Sequence, residues 1–600
     1  MSDAAKRYHE EETLGKAFDG RLMKRLLAYL RPSLHLVTVT VLLQFVLTWL
    51  ELYTVDLGRR ALDDCVARGS LDALNRVALI YALLLLLTFL ARYAFIYLTS
   101  LTGQRVIFTL RLQIFSRLQK LSPAFFDRNP VGRLMTRVTN DVQVLNEMFT
   151  SGLVVAVSDI TLIIGIMGYL LYRDWRLALI TFSILPLLFY ISFLFKKKVR
   201  EAYRMIRLRL ARINACVQEN LSGIRVVQLF RRERRNRERF EQLNEDHTES
   251  NLRSVLYYSV FFPSIEVVNS LAVALIVWYG GLEAVAGRFT IGELFAFLLA
   301  ANKFFRPIRD LSEKYNIMQT AMASSERIFK LLDTREAIVE PADPELLEGF
   351  RDAIRFEDVD FHYEENQPVL KGVSLEVRRG QRVAVVGATG AGKTTLISLL
   401  ARFYDVQSGR ITIDGVDVRR MELCRLRRLV GVVQQDVFLF AGDVGSNISL
   451  WDERITEAAM VRAARSVGIH DFVAGLPGAY AAEVAERGAT LSTGQRQLLS
   501  FARALAYDPQ ILVLDEATSS VDTETELRIQ RALEVLLEGR TSIIIAHRIS
   551  TIQNADNIIV MHRGRVRETG DHASLLAEKG IYYRLHQLQY RQSGLKSRRD

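Results

Sequence analysis

A helix needs roughly 20 apolar residues to cross the hydrocarbon layer of a bilayer. The first half of this chain carries six stretches of that kind, at 34–56, 76–100, 152–172, 177–197, 255–281 and 287–307. Lipid leaves every backbone N–H and C=O to be satisfied internally, so such runs are expected to be membrane-spanning helices. The second half has none. The mean hydropathy of +0.11 and the hydrophobic share of 50% therefore average two unlike halves, and a chain of 600 residues exceeds a single core.

The loops between the runs predict an orientation. The chain carries a net charge of +11, and its cations crowd into Lys196, Lys197, Lys198 and Arg200, then Arg231, Arg232, Arg234, Arg235, Arg237 and Arg239. The loop at 101–150 adds Arg105, Arg111, Arg117, Lys120, Arg128, Arg133 and Arg137. Cationic loops stay cytoplasmic, so both long loops and both termini are expected there, and the charge is read as membrane topology rather than nucleic-acid binding. Apolar residues three and four apart predict helical extensions at 105–121 and 202–229. Residues 14–31, with Leu22, Leu26, Leu27 and Leu30 among cations, read as an amphipathic helix on the cytoplasmic leaflet.

No cleavable leader is expected in the charged residues 1–32. Cys65, Cys216 and Cys424 have neither disulfide nor metal-ligand spacing. Gln44, Asp159, Glu266, Asn269 and Lys303 interrupt the apolar runs. Polar groups at that depth either pair internally or line a wet cavity. Asp159 and Glu266 are expected to face such a cavity and favour cationic amphipaths.

Residues 333–350 form an acidic linker with Pro341 and Pro344. The expected divisions are thus an N-terminal segment at 1–32, a membrane domain at 33–332, the linker, a second domain at 351–590 and a tail at 591–600. In the second domain the runs 382–387, 511–514 and 543–545 are buried-strand patterns alternating with helices, which predicts an α/β domain with a largely parallel sheet. After the first run comes Gly387-Ala388-Thr389-Gly390-Ala391-Gly392-Lys393-Thr394-Thr395. Glycines in such a loop let backbone N–H groups wrap phosphates, and the helix that follows offers its positive end. Lys393 is expected on the β- and γ-phosphates and Thr394 on Mg²⁺. The run 511–514 ends in Asp515, suited to Mg²⁺, and Glu516, placed to polarise an attacking water.

Further motifs carry a family resemblance. Leu491-Ser492-Thr493-Gly494-Gln495 resembles the signature of ABC ATPases. Gln435 matches the family's Q-loop, Ser519-Ser520-Val521-Asp522 its D-loop, His547 its switch histidine, and Tyr363 its adenine-stacking aromatic. In the first half, 126–132 (Phe-Asp-Arg-Asn-Pro-Val-Gly) and 219–227 resemble the cytoplasmic loops whose coupling helices dock on the ATPase domains of ABC exporters. Residues 483–488 resemble the exporter X-loop, with Ala485 where glycine is usual, and Thr493 replaces the commonest signature glycine.

The resemblance implies an all-α six-helix transmembrane domain followed by an α/β P-loop ABC ATPase domain. It assigns ATP contacts to Tyr363, residues 387–395, Gln435, Ser492, Gly494 and Gln495. Mg²⁺ falls to Thr394, Gln435 and Asp515, and catalysis to Glu516 and His547. It implies a dimer of half-transporters that exports amphipathic drugs, lipids or peptides by alternating access, the phosphate loop of each chain facing the signature of the other. Thr493 followed by Arg496-Gln497-Leu498-Leu499 resembles the intact subunits of heterodimeric exporters, so a heterodimer is slightly favoured over a homodimer. A membrane-bound ATPase that gates without cargo is the competing reading. The six apolar runs argue against an ABC ATPase acting on nucleic acid.

Overall fold

The structure, a computed structural model, describes residues 19–335, 338–515, 523–545 and 552–596; the side chains of 196, 305–306, 308–313, 315–316, 523 and 589–596 are not described. Contacts divide the chain into two units.

The first unit, up to Gln119 together with Val131–Thr334, is built on long helices. Five of them are long and apolar enough to span a membrane: Arg31–Val66, Leu71–Lys120, Val131–Arg173, Trp175–Ser222 and Glu233–Val285. A further long helix, Ile291–Asp333, covers most of the expected span at 287–307. Glu293, Lys303 and Arg306 lower its apolar character. Its start is fixed twice. Thr290 and Glu293 form a reciprocal capping box, and Asp63 of the first helix accepts from the Thr290 hydroxyl at 2.8 Å and Gly292 N at 2.9 Å. The Gly292 contact satisfies a backbone donor that a helix leaves open at its N-terminus.

Ile166, Leu170, Ala178, Ala272, Ile276, Phe297, Ala300 and Ala301 form one buried core in this unit. Its alanines allow close helix approach, which lipid-embedded bundles use in place of hydrophobic driving force. Leu83, Leu86, Phe89 and Leu90 are exposed instead, as suits a lipid-facing surface.

Several polar groups in these helices pair internally. Gln44 donates to Thr48 at 3.3 Å, Asn269 to Asn302 at 3.4 Å, and Lys303 to the Glu51 carbonyl at 3.3 Å. The Glu51 carboxylate pairs with Arg92 at 2.8 Å. Asp159 is half-buried and Glu266 exposed. Further along the chain, buried Asp141 accepts from Ser324 at 2.9 Å and Arg327 Nε at 3.0 Å.

The N-terminal helix, Gly20–Ala28, buries Met23 and Leu26. Arg25 makes two 2.6 Å hydrogen bonds to Asp333 and lies 4.2 Å from the centre of the Phe329 ring. The amphipathic pattern is thus used to grip the end of the last long helix. The predicted start at residue 14 lies outside the described residues. Cys65 and Cys216 are buried thiols and Cys424 is exposed.

The second unit comprises Lys120–Pro130 and the chain from Arg335 onward. Its strands are β1 Ala353–His362, β2 Pro368–Arg378, β3 Arg382–Gly387, β4 Ser408–Ile413, β5 Val416–Asp417, β6 Val430–Val433, β7 Gly442–Asp443, β8 Glu483–Val484, β9 Ile511–Asp515, β10 Thr541–Ile545, β11 Asn557–His562 and β12 Arg565–Gly570. The main sheet has the order β12-β11-β3-β10-β9-β6, and every pairing except β11–β12 is parallel. The expected parallel sheet is present.

A separate four-stranded sheet, β2-β1-β4-β5, is antiparallel. Its strands bury one face, as the mixed burial along β2 records, so they lack the continuous apolar runs that mark buried parallel strands. The helix Lys393–Leu400 is sandwiched in the core formed with this sheet, through Leu396, Ile397, Leu399 and Leu400.

Candidate nucleotide site

The parallel register places several predicted residues at one edge of the main sheet. Val385 pairs with Ile545, Ile545 with Asp515, and Leu514 with Val433. Hence the loop after β3, the acid ending β9 and Gln435, two residues beyond β6, all lie at the carboxyl ends of neighbouring strands. That edge is where open α/β sheets bind ligands. Positions 516 and 547 follow β9 and β10 in the chain. Glu516, Ser519–Asp522 and His547 lie outside the described residues.

The phosphate loop needs its glycines. Gly387 has φ 157°, and a β-carbon there would sit 2.3 Å from the Met561 carbonyl oxygen. Gly392 has φ 97° and precedes Lys393–Leu400 without any side-chain cap, so the amide groups of that helix start stay open to an anion. Ala388, Thr389 and Gly390 are exposed, and Ala391 is buried.

Lys393 is 6% exposed. Its ammonium donates to the Gly387 and Ala388 carbonyls at 2.8 and 3.2 Å. Burial pulls the lysine below its usual range, while the Asp515 carboxylate opposes the shift. The Thr394 side chain is exposed beside it. A hydroxyl, a carboxylate and the exposed Gln435 amide are hard oxygen donors of the kind Mg²⁺ takes.

Tyr363 is 40% exposed and suited to carry a base. Its ring stands edge-on to Phe361 and Tyr404, with centroids at 4.8 and 5.1 Å. Its hydroxyl shares a hydrogen bond with Thr395 at 3.2 Å, which joins it to the phosphate-loop helix.

The signature residues form a second helix start, at Thr493–Tyr507. Ser492 accepts from Gln495 N at 3.2 Å, and the Gln495 amide oxygen accepts from Ser492 N at 2.9 Å. The Gln495 side chain is thus engaged in the cap. Thr493 points outward and accepts from Arg496 at 3.2 Å, while Gly494 is buried. Among the described residues no hydrogen bond joins 492–495 to 387–395.

The profile of the ABC transporter transmembrane region matches residues 37–308, and the ABC transporter profile matches 370–519. The chain is 38% identical over 588 residues to the uncharacterised ABC transporter ATP-binding protein YknV of Bacillus subtilis, covering 97% of each. The chain belongs to the ABC transporter family. It is also 37% identical over 571 residues to the ATP-dependent lipid A-core flippase of Syntrophus aciditrophicus, covering 95% of each. A solved bacterial Atm1-family ABC exporter with ATP bound superposes with a TM-score of 0.73 at 28% identity, covering 94% of this chain and 99% of that one.

The protein is therefore a multi-pass ABC exporter whose transmembrane region is fused to an ATP-binding ATPase. With one membrane region and one ATPase per chain it is a half-transporter, which implies a dimer. The sequence motifs did not single out Tyr404 or Glu51. Tyr404 belongs to no phosphate-loop pattern, and Glu51 acquires its partners only when separate helices meet.

Proposed function

We propose that two chains, each with a membrane domain at 33–332 and an ATPase domain at 351–590, bind ATP head to tail and export an amphipathic drug, lipid or peptide. The supporting observation is that the signature helix start makes no hydrogen bond to its own phosphate loop among the described residues, so a second chain can supply it. Each nucleotide would lie between Tyr363 and residues 387–395 of one chain and Ser492 and Gly494 of the other.

Thr394, Gln435 and Asp515 would hold Mg²⁺. When bound, the ion neutralises charge developing on the phosphates. Glu516 orients the attacking water and accepts its proton, and His547 contacts the γ-phosphate. An interface that closes on ATP and reopens after hydrolysis is a ligand-biased two-state element.

The exposed Leu221, Ile224, Val226, Leu229 and Phe230 in the second cytoplasmic loop need an apolar seat. A groove of about 290 Å³ on the ATPase unit, lined by Phe438, Leu450, Arg503 and Tyr507 among others, suits them in the partner chain. The basic loops favour a cytoplasmic-membrane topology with both termini and the ATPase inside. The flippase named above handles a lipid, which supports a lipid-like cargo. Thr493 favours a non-identical partner half.

The test is to purify the chain alone and with candidate partner halves, reconstitute each into vesicles, and measure ATPase and dye transport. Transport by the pair only supports the heterodimer; full transport by the chain alone makes it a homodimer. ATPase that drives no transport in any pairing favours the gating ATPase.

A further inference from the structure

The short helix Pro123–Arg128 belongs by its contacts to the ATPase unit, yet in the chain it joins two membrane helices, Leu71–Lys120 and Val131–Arg173. Its polar contacts converge on one place. The Tyr404 hydroxyl donates to Asp127, and Arg128 donates to the Tyr363 carbonyl at 3.4 Å. The Tyr404 ring meets Tyr363 edge-on at 5.1 Å and Phe361 at 5.6 Å, and Tyr363 in turn bonds Thr395 at 3.2 Å. A continuous chain of contacts therefore runs from the phosphate-loop helix through the base-stacking ring to residues 127 and 128.

The platform beneath Tyr404 is held firmly. The turn that carries it follows Lys393–Leu400 directly. Arg402, 2% exposed, donates to Asp405 at 3.0 Å and to the Val339 carbonyl at 3.0 Å. Arg427 donates to the carbonyls of Ala401 and Arg402 at 3.3 and 3.2 Å. Burial and the Asp127 carboxylate both push the Tyr404 phenol upward, so it stays a donor throughout the working pH range.

We propose that Tyr404 is a positioning residue that registers adenine at Tyr363 and passes its presence to the 123–128 helix. This rests on the reading of Tyr363 as the base platform. A base stacking on Tyr363 restrains that ring, the ring restrains Tyr404, and the Tyr404–Asp127 hydrogen bond holds the loop. Triphosphate alone fills the phosphate loop without loading the ring, so the device separates a nucleotide from a bare polyphosphate.

Hydrogen exchange on the full chain in detergent tests this, with AMP-PNP and Mg²⁺ compared with inorganic tripolyphosphate and Mg²⁺. AMP-PNP should slow exchange both at 387–395 and at 123–130, whereas tripolyphosphate should slow it only at 387–395. Tyr404→Phe keeps the ring and should lose the protection at 123–130 about tenfold, the scale of one hydrogen bond to a charged group, with the phosphate loop still protected. Asp127→Ala should behave the same way. Asp127→Asn, which still accepts, should restore most of the protection, and Tyr404→Phe combined with Asp127→Ala should be no worse than either alone.

The proposal fails if 123–130 respond equally to both ligands, do not respond at all, or respond to AMP-PNP in Tyr404→Phe as in the parent. Absence of protection at 387–395 in the parent chain would instead overturn the nucleotide site itself.

Discussion

Two helices of the ATPase unit begin at places read as facing phosphates, and they begin differently. Lys393–Leu400 starts from a left-handed glycine with no side-chain cap. Thr493–Tyr507 starts from Ser492 within a complete capping box. The first terminus has open donors and a buried lysine that turns back on its own loop carbonyls. The second has satisfied its end groups itself. A helix start that lacks a cap is finished by its ligand, whereas a capped one is a preformed surface that can be presented to another chain.

The largest effect expected lies beyond both termini, at the acid following β9. Glu516→Gln should leave ATP binding intact and slow hydrolysis roughly 10²–10⁴-fold, as loss of a positioned base does; single-turnover hydrolysis beside equilibrium binding checks it. Near-normal turnover would remove Glu516 from its role.

At the open terminus, Lys393→Ala should weaken ATP binding itself by about tenfold or more, given the strength of hydrogen bonds to charged groups. Fluorescent-nucleotide titration reads this directly, and unchanged affinity would mean that the open amides act alone.

At the capped terminus, Ser492→Ala should cost about 1 kcal/mol of helix stability, lowering the unfolding temperature of the ATPase unit by about 2–4 °C. Calorimetry of the full-length chain measures this. ATP binding to one chain should not change while hydrolysis in the dimer falls. A loss of binding by the single chain would break the contrast.

The smallest effect concerns protons. Lys393 sits below its usual range because it is buried. Phosphates favour the charged form and raise it, so between the two values ATP binding should take up protons. The lower edge of the window lies below the ordinary lysine value of about 10.4. Titration calorimetry at alkaline pH in two buffers of different ionisation enthalpy detects the uptake, and equal heats in both would refute it.

The contrast between these termini also marks what could be read in advance. Phosphate loop, Gln435 and Asp515 were legible because each is short, local and tied to the end of a buried strand. The signature was legible as a string, whereas its capping box shows only in the hydrogen bonds between Ser492 and Gln495. The antiparallel sheet is not legible in the sequence, because its half-buried strands do not run continuously apolar. In the membrane unit five of the spans were plain from length, whereas the polar contacts between helices were not. The Glu51 carboxylate meets Arg92 and the Glu51 carbonyl accepts from Lys303 only after three helices pack, and Asp141 meets Ser324 and Arg327 across a large stretch of chain.

From its sequence alone this protein was set to be a membrane-spanning half-transporter with an ATPase. Apolar length dictates spanning helices, and the spaced glycines at 387, 390 and 392 before Lys393 and Thr394 dictate a phosphate loop, wherever the rest of the chain lies. Tertiary structure decided which distant groups act together. The Tyr404 hydroxyl reaches Asp127, and Asp63 caps a helix that starts far along the chain. Such pairings depend on packing and register in space, and no local pattern of residues encodes them.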